Sequence, residues 1–321
     1  MSTRTLLMRL ARGPASGADL AAELGITRSA VWKRIQVLRA AGVDVLATPG
    51  NGYSLARPLD LVDAESLLAG LSADARAHLA GLTLDFETDS TNAQALRQPA
   101  PEQGVQAWLA ERQTAGRGRR GRPWASPLAA HVYMSLSRRF DTGVAALQGL
   151  SLAVGAATAQ ALHRLGFDRV GLKWPNDLLA DGRKLGGILV EIRGDAAGPL
   201  QVVVGLGLNV AMPASAGAGI DQPWCDLAAL SPTPPRRTEL CVALLDALVP
   251  LLARFESEGL APWQDTWARL DLLAGKPVRL EHAGRPIDGI ALGIDAEGAL
   301  RLRTADGEQR CHAGETSLRA A

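Results

Sequence analysis

Along the first sixty residues the apolar positions recur first with helical spacing and then with the spacing of a strand. Residues 4–11 and 18–24 fit two short helices, followed by the tight turn Gly25-Ile26-Thr27. In residues 28–41, Val31, Ile35 and Leu38 fall at i, i+4 and i+7, which puts them on one buried stripe. Arg28, Ser29, Lys33, Gln36 and Arg39 lie elsewhere on the wheel and face out. Gly42 ends this helix. Val43, Val45 and Ala47 then alternate up to the turn Pro49-Gly50-Asn51-Gly52, and Tyr53-Ser54-Leu55 returns. Helix, helix, turn, helix, hairpin is the order of a winged helix-turn-helix.

Beyond that module the pattern changes. Residues 63–272 mix strands and helices in irregular order, which predicts an α+β domain. The weakly polar run 147–162 is interrupted by Gln148, Ser151, Thr158 and Gln160. It reads as a buried helix, because a membrane span needs about 20 apolar residues. Residues 238–258 and 261–270 are helical in pattern, with Pro250 expected to kink the first. The Ala/Gly/Pro-rich stretches 211–219 and 231–237 read as surface loops. From Lys276 onward, Val278/Leu280, Ile287, Ile290/Leu292/Ile294 and Leu300/Leu302 alternate with polar residues. Turn signals fall at His282-Ala283-Gly284, at Asp295-Ala296-Glu297-Gly298 and at Asp306-Gly307, so a small β-barrel is expected. The predicted modules are residues 1–62, 63–272 and 273–321.

Bulk composition adds little, but the distribution of charge adds something. The 321 residues carry a net charge of +1, whereas residues 1–57 carry eight basic and three acidic side chains, or +5. A basic N-terminal module on a mildly acidic body points to nucleic acid as the partner of the first module. Cys225, Cys241 and Cys311 have no repeated spacing, which excludes a disulfide framework or cysteine-rich zinc site and fits a reducing compartment. The N-terminal residues lack the apolar stretch of a signal peptide, so a cytoplasmic location without membrane association is expected. The five histidines (His78, His131, His163, His282 and His312) are scattered, and no dedicated metal site is expected.

Four strips carry candidate chemistry. Residues 112–124, RQTAGRGRRGRPW, hold five arginines, three glycines and no acid. Gly116, Gly118 and Gly121 formally match a dinucleotide-binding fingerprint. That fingerprint must open a helix, whereas Pro123 and Pro127 suit a loop. What remains is a glycine-hinged loop of dense positive charge, in which backbone N–H groups and guanidinium forks suit phosphate or carboxylate; a solvated basic loop is the plainer alternative. The second strip is Lys173-Trp174-Pro175-Asn176-Asp177 with Arg183-Lys184-Leu185-Gly186-Gly187 beyond an Asp181-Gly182 hairpin signal, which brings Lys173, Asn176, Asp177 and Lys184 towards one cleft. Third, Gly205 and Gly207 alternate in the strand around Val202–Val210 and leave one face bare, as a floor for a flat ligand or for a packed helix. Fourth, Asp89-Ser90-Thr91-Asn92 follows a strand, where a helix N-cap is the commoner use.

D-S-T-N at 89–92, Q-x-x-G-R-G-R-x-G-R-x-W from Gln113 to Trp124, K-W-P-N-D at 173–177, R-K-L-G-G-I-L-V-E at 183–191 and G-L-G-L-N at 205–209 occur in an order that resembles the bifunctional biotin–protein ligase / biotin operon repressor family. The N-terminal module and the closing G-E-T-S-L-R extend the match to nearly the whole chain. The resemblance implies a winged helix-turn-helix, a biotin/lipoate-ligase-like central domain and a small SH3-like β-barrel. It implies ATP and Mg²⁺ as well as biotin, with a biotin carboxyl carrier protein as acceptor, operator DNA as second partner, and a homodimer once the adenylate is bound. It implies that Ser90, Thr91, Asn92, Gln113, Gly205 and Gly207 meet biotin, that Arg117, Gly118 and Arg119 fold over its tail and that Lys184 contacts its carboxylate. Arg119, Arg120, Arg122, Trp124, Asn176, Lys184 and Asn209 would meet the nucleotide, with Lys184, Arg119 and Asp177 the catalytic set. Arg28, Ser29, Lys33, Arg34 and Asn51 would meet DNA. Two other readings stay open at this point: a lipoate or other acyl–protein ligase, and a ligand-sensing transcription factor without catalysis. Pro123 before Trp124 and the Ala/Gly content of 211–219 depart from the pattern.

Overall fold

The computed structural model describes residues 3–48, 51–282, 285–313 and 316–320. The first module comprises α1 (Thr3–Leu10), α2 (Gly17–Leu24), α3 (Arg28–Ala40) and the hairpin β1 (Val45–Thr48) with β2 (Gly52–Leu55). Ser16 and Thr27 cap α2 and α3 by accepting the Asp19 and Ala30 N–H groups. Gly25, at φ 61°, turns the chain from α2 into α3. Leu7, Leu20, Val31, Ile35 and Leu38 form this module's own core, into which Leu128 of the next module inserts. Pro49 and Gly50 of the expected wing turn lie outside the described residues.

The central module is a seven-stranded sheet of β3 (Leu79–Asp85), β4 (Val105–Ala110), β5 (His131–Phe140), β6 (Val170–Lys173), β7 (Asp177–Ala180), β8 (Arg183–Gly194) and β9 (Leu200–Asn209). The strand order is β3-β4-β5-β9-β8-β7-β6, with only β3 and β4 parallel. Helices α4 (Ala64–Gly70) and α5 (Ala73–His78) lean on the long α10 (Arg237–Glu258). Helix α6 (Thr91–Arg97) packs on β5 and β9, and α7 (Leu150–Arg164) packs on β8 and α10. Period-2 alternation sorts the two faces. Ile188 of β8 lies against Gly155 of α7, whereas Glu191 bonds to Asn92 of α6, so the helices cover opposite sides.

The short α8 (Ala214–Gly217) and α9 (Leu227–Leu230) interrupt the connection after β9, and α11 (Gln264–Leu270) packs on α7. Helix α10 runs through Pro250 without a break, so the expected kink does not interrupt it. The one described segment long and apolar enough to cross a membrane, Val144–Arg164, is largely the buried helix α7.

The C-terminal module is a five-stranded antiparallel sheet of β10 (Pro277–His282), β11 (Arg285–Ile294), β12 (Leu300–Thr304), β13 (Gly307–Cys311) and β14 (Thr316–Ala320), in the order β13-β12-β11-β10-β14. Ala283 and Gly284 of one predicted turn, and Gly314 and Glu315 of the closing motif, lie outside the described residues. The module has no separate core. Val278, Leu280, Leu302 and Leu318 belong to the same apolar cluster as Leu152 and Leu260. The tip of the β11–β12 connection seals that junction: the Trp174 indole N–H donates to the Gly298 carbonyl at 3.1 Å, and a Cβ at Gly298 would lie 2.7 Å from Leu152. The architecture is therefore α+β, as the pattern predicts.

Candidate active site

A cleft of about 980 Å³, counted out to its open mouth, lies on the α6 side of the sheet. Its walls are the N-terminus of α6, the arginine loop, the 173–177 segment and strands β8 and β9, with Gln222 and Leu318 at the edges. One end is polar and locked. Ser90 caps α6 by accepting the Ala93 N–H. Gln113 Oε1 accepts from the Thr91 N–H at 2.9 Å and from the Thr91 hydroxyl at 3.1 Å. Ser135, buried on β5, lies 2.7 Å from the Thr91 hydroxyl and 2.6 Å from Asn92 Oδ1. The Asn92 amide donates to Glu191 at 2.7 Å and to the Leu189 carbonyl at 3.3 Å. Gln113 Nε2 in turn donates to Ser126, whose hydroxyl donates to the Trp124 carbonyl. The α6 cap and the arginine loop are thus one hydrogen-bonded unit.

The glycine floor is not empty. A Cβ at Gly205 would lie 2.3 Å from Asn92 Oδ1, and one at Gly207 would lie 2.6 Å from the Trp124 ring. The absent side chains let an amide and an indole lie flat on β9. The Trp124 Nε1–H is buried without a partner, and Lys184 Nζ sits 5.7 Å from the ring centroid.

The other end is cationic. Arg117, Arg119, Arg120, Arg122, Lys173 and Lys184 line the cleft, and among the described lining residues Asp177 is the one carboxylate. Asp177 holds both lysines, Lys184 at 2.7 Å and Lys173 at 3.5 Å. Lys184 reaches the cleft through a bulge. Gly186 pairs with Leu178 and Lys184 with Leu179, so Leu185 is the extra residue. Plain alternation would put Lys184 on the core face with Gly186 and Ile188; the bulge turns it to the face of Gly187, whose added Cβ would lie 3.4 Å from Lys184 Cε. Arg119 donates to Asn176 Oδ1 at 3.1 Å and to the Ala313 carbonyl at 2.6 Å, so it ties the loop to the K-W-P-N-D segment and to the C-terminal module. Burial lowers its pKa from the ordinary arginine value. Arg117 lies 3.6 Å from Glu191. The loop carries a turn at Arg119–Gly121 with Arg120 at φ 59°, and no helix follows it, which fits the rejection of a dinucleotide fingerprint.

The structure brings together Ser90, Thr91, Asn92, Gln113, Arg117, Gly118, Arg119, Arg120, Arg122, Trp124, Asn176, Asp177, Lys184, Gly205 and Gly207. Asn209 is the exception. It is buried and does not line the cleft; its amide donates to the Cys225 carbonyl at 3.0 Å and the Lys184 carbonyl at 3.5 Å, which pins the strand that carries Lys184. Three contributors were missed by sequence reasoning. Glu191 sits at i+2 and i+4 from Leu189 and Gly187, a spacing that signals a shared face. Leu318 lies in the closing G-E-T-S-L-R motif, which gave it no site role, and Ser135 gave no signal of its own.

On the first module, Arg28, Ser29, Lys33 and Asn51 are exposed as expected. Arg34 departs from this: it is half-buried, with Nη1 shut off from solvent and without a hydrogen-bond partner, because its position turns towards the helix packing. Trp32, not anticipated as a contact, is exposed beside Arg28 and Ser29.

Residues 86–209 match the biotin/lipoate A/B protein ligase family, residues 3–54 an HTH domain, and residues 274–319 the biotin protein ligase C-terminal domain. The chain is 42% identical over 306 residues to the bifunctional ligase/repressor BirA of Escherichia coli K12, covering 95% of this chain and 93% of that one. It is likewise 42% identical over 318 residues to BirA of Salmonella typhimurium, covering 99% and 97%. The fold is similar to biotin protein ligase from Aquifex aeolicus in complex with biotin and ATP, with a TM-score of 0.66 at 26% identity over 75% of this chain and 100% of that one. With its three matched segments in one order and its length covered almost end to end, the chain belongs to the bifunctional ligase/repressor BirA family.

Proposed function

We propose that the cleft joins biotin to ATP and passes the biotinyl group to a lysine of a biotin carboxyl carrier protein. The observation that carries this reading is the six cations facing one carboxylate beside a locked polar end. A carboxylate and a triphosphate repel each other, and bringing them together needs concentrated positive charge. In the first step a biotin carboxylate oxygen bonds to the α-phosphorus of ATP and pyrophosphate leaves, giving biotinyl-5′-AMP. In the second, the lysine amine bonds to the acyl carbon, AMP leaves, and the amine proton passes to solvent.

Ser90, Thr91, Asn92 and Gln113 hold the ring end of biotin over Gly205 and Gly207. Lys184, Arg117, Gly118 and Arg119 hold its carboxylate and the α-phosphate. Arg120, Arg122, Trp124 and Asn176 hold the rest of the nucleotide, Trp124 through the face of its ring. Asn209 acts by holding the Lys184 strand. Asp177, which already binds two ammonium groups, orients the incoming amine. Mg²⁺ enters with the triphosphate as part of the substrate; among the described residues no group of three His, Cys, Asp or Glu side chains is suited to holding a metal ion.

The first module (residues 1–62) binds operator DNA, the adenylate-loaded protein pairs as a homodimer across two half-sites, and residues 63–272 and 273–321 form the ligase; the protein works in the cytoplasm. Incubation with biotin, ATP, Mg²⁺ and an acceptor domain, followed by mass measurement, tests the reading. One added biotinyl group per acceptor is expected. No transfer, or equal transfer of lipoate, overturns it.

A further inference from the structure

We infer that Trp32 reads a thymine in the DNA major groove and so sets sequence preference at one position in each half-site. This rests on the DNA-binding role proposed for the first module. Trp32 is 55% exposed, the most exposed large apolar side chain among the described residues. It stands on α3 at i+4 from Arg28 and i+3 from Ser29, in the half of the helix nearest its N-terminus, and lines a shallow, open groove with the hairpin residues Ala47, Thr48, Gly52 and Tyr53. Nothing else in the described chain covers it.

The surroundings name the occupant. A protein partner would meet a wider apolar patch, whereas this indole is flanked by the exposed cations Arg28 and Lys33 in a segment, residues 1–57, that carries +5. That charge suits a polyanion, and the N-terminal half of a recognition helix is the part that reaches base edges. The chemistry of the side chain then selects the base. Indole offers one N–H donor, an apolar edge and no acceptor. Thymine alone presents a methyl group beside an acceptor, O4, in the major groove; guanine offers acceptors without a methyl, and the amino donors of adenine and cytosine find no acceptor on indole.

The test selects duplexes from a library with a randomised core, using the full protein with biotin, ATP and Mg²⁺, in parallel with Trp32→Ala and Trp32→Phe. The wild-type consensus should hold a thymine in each half-site that Trp32→Ala no longer requires and Trp32→Phe partly retains. Replacing that thymine by deoxyuridine removes only the methyl group. It should weaken wild-type binding about fourfold, the factor for burying one methyl-sized group, and leave Trp32→Ala unaffected. The salt dependence of binding should match between the proteins, because the phosphate contacts are unchanged. If Trp32→Ala selects the same consensus, or deoxyuridine is neutral at every position, Trp32 does not read the base. If the wild type enriches no duplex at all, the DNA-binding role itself fails.

Discussion

Replacing Arg119 by alanine should release the activated intermediate rather than abolish its formation. Among the described residues the guanidinium donates to Asn176 Oδ1 at 3.1 Å and to the Ala313 carbonyl at 2.6 Å, and both bonds hold the loop down. A hydrogen bond from a charged donor is worth about 1.5–3 kcal/mol when sheltered. The Ala313 bond is exposed to water, so the pair together contributes about 2 kcal/mol to holding the loop closed. At about 1.4 kcal/mol per decade, the adenylate should leave roughly thirtyfold faster. Adenylation should persist, because Lys184, Lys173 and Arg117 remain on the same wall. The assay loads the protein with radiolabelled biotin and ATP, removes excess, and follows the loss of bound adenylate after a chase of unlabelled biotin. Biotinylation of serum albumin in the same mixture provides a second readout. If bonding to Asn176 carries half the effect, Arg119→Ala and Asn176→Ala should be less than additive. An off-rate for Arg119→Ala within twofold of wild type would refute the view of Arg119 as the loop's fastening.

Three further predictions concern the same scaffold. Lys184→Ala should slow adenylate formation on the order of 10²–10³-fold, the scale for losing one transition-state donor, with no change in unfolding temperature; near-normal single-turnover rates would remove Lys184 from the chemistry. Gly205→Ala places a Cβ 2.3 Å from Asn92 Oδ1, and overpacking of this kind costs about 1–3 kcal/mol, so KM for biotin should rise on the order of tenfold while kcat at saturation holds. His131 is buried, its Nδ1 accepts the Val210 N–H at 3.0 Å, and burial holds its pKa down to about 3. The unfolded chain takes up this proton below about pH 6.5 and the folded chain does not, so stability should fall as pH drops through that window, by about 2 kcal/mol at pH 5. Urea titrations at pH 8 and pH 5 should show this loss in the wild type and not in His131→Gln; equal losses in both would assign it to other groups.

The elements of the first module were legible because each carries a local cause. Ser16 and Thr27 are side-chain caps, Gly25 takes a left-handed turn, and Val31, Ile35 and Leu38 keep one period. The Asp181-Gly182 hairpin was legible for the same reason, since both residues adopt positive φ, 51° and 73°. What alternation does not state is which surface a buried face meets. Leu280 and Leu302 were read as the interior of a separate barrel, yet they share a core with α7 because Gly298 lacks the Cβ that would hold Leu152 away. The same limit applies in the site. Motif residues far apart in sequence were assigned to one cleft correctly, whereas the bulge at Leu185 that turns Lys184 into it depends on pairing with β7. The family resemblance implies a nucleotide contact for Asn209. Its amide instead faces the Cys225 and Lys184 carbonyls, which come alongside only after the chain has folded.

The arrangement of charge explains how so cationic a cleft coexists with a stable fold. Six like charges on one wall would repel one another, and the protein divides them among its own acceptors. Asp177 holds Lys184 and Lys173, Glu191 lies beside Arg117, and Arg119 is spread over Asn176 and the Ala313 carbonyl. Several of these pairings are weaker than a charge-assisted bond to a substrate anion. Asn176 and Ala313 are neutral acceptors, and the Arg117–Glu191 separation of 3.6 Å is longer than a charge-assisted hydrogen bond. On the proposed reading, carboxylate and phosphate oxygens arriving in the cleft exchange with neutral or loosely held acceptors at groups already aimed and already partly desolvated. Such exchange requires little reorganisation of the protein, and this is the condition under which fixed charges stabilise a transition state most. It also accounts for a carboxylate standing among the cations. Without Asp177, Lys184 would lose its ion pair and keep only the Trp124 ring beside it, and on the proposed reading the bulge would then aim its ammonium at the reacting oxygens less firmly.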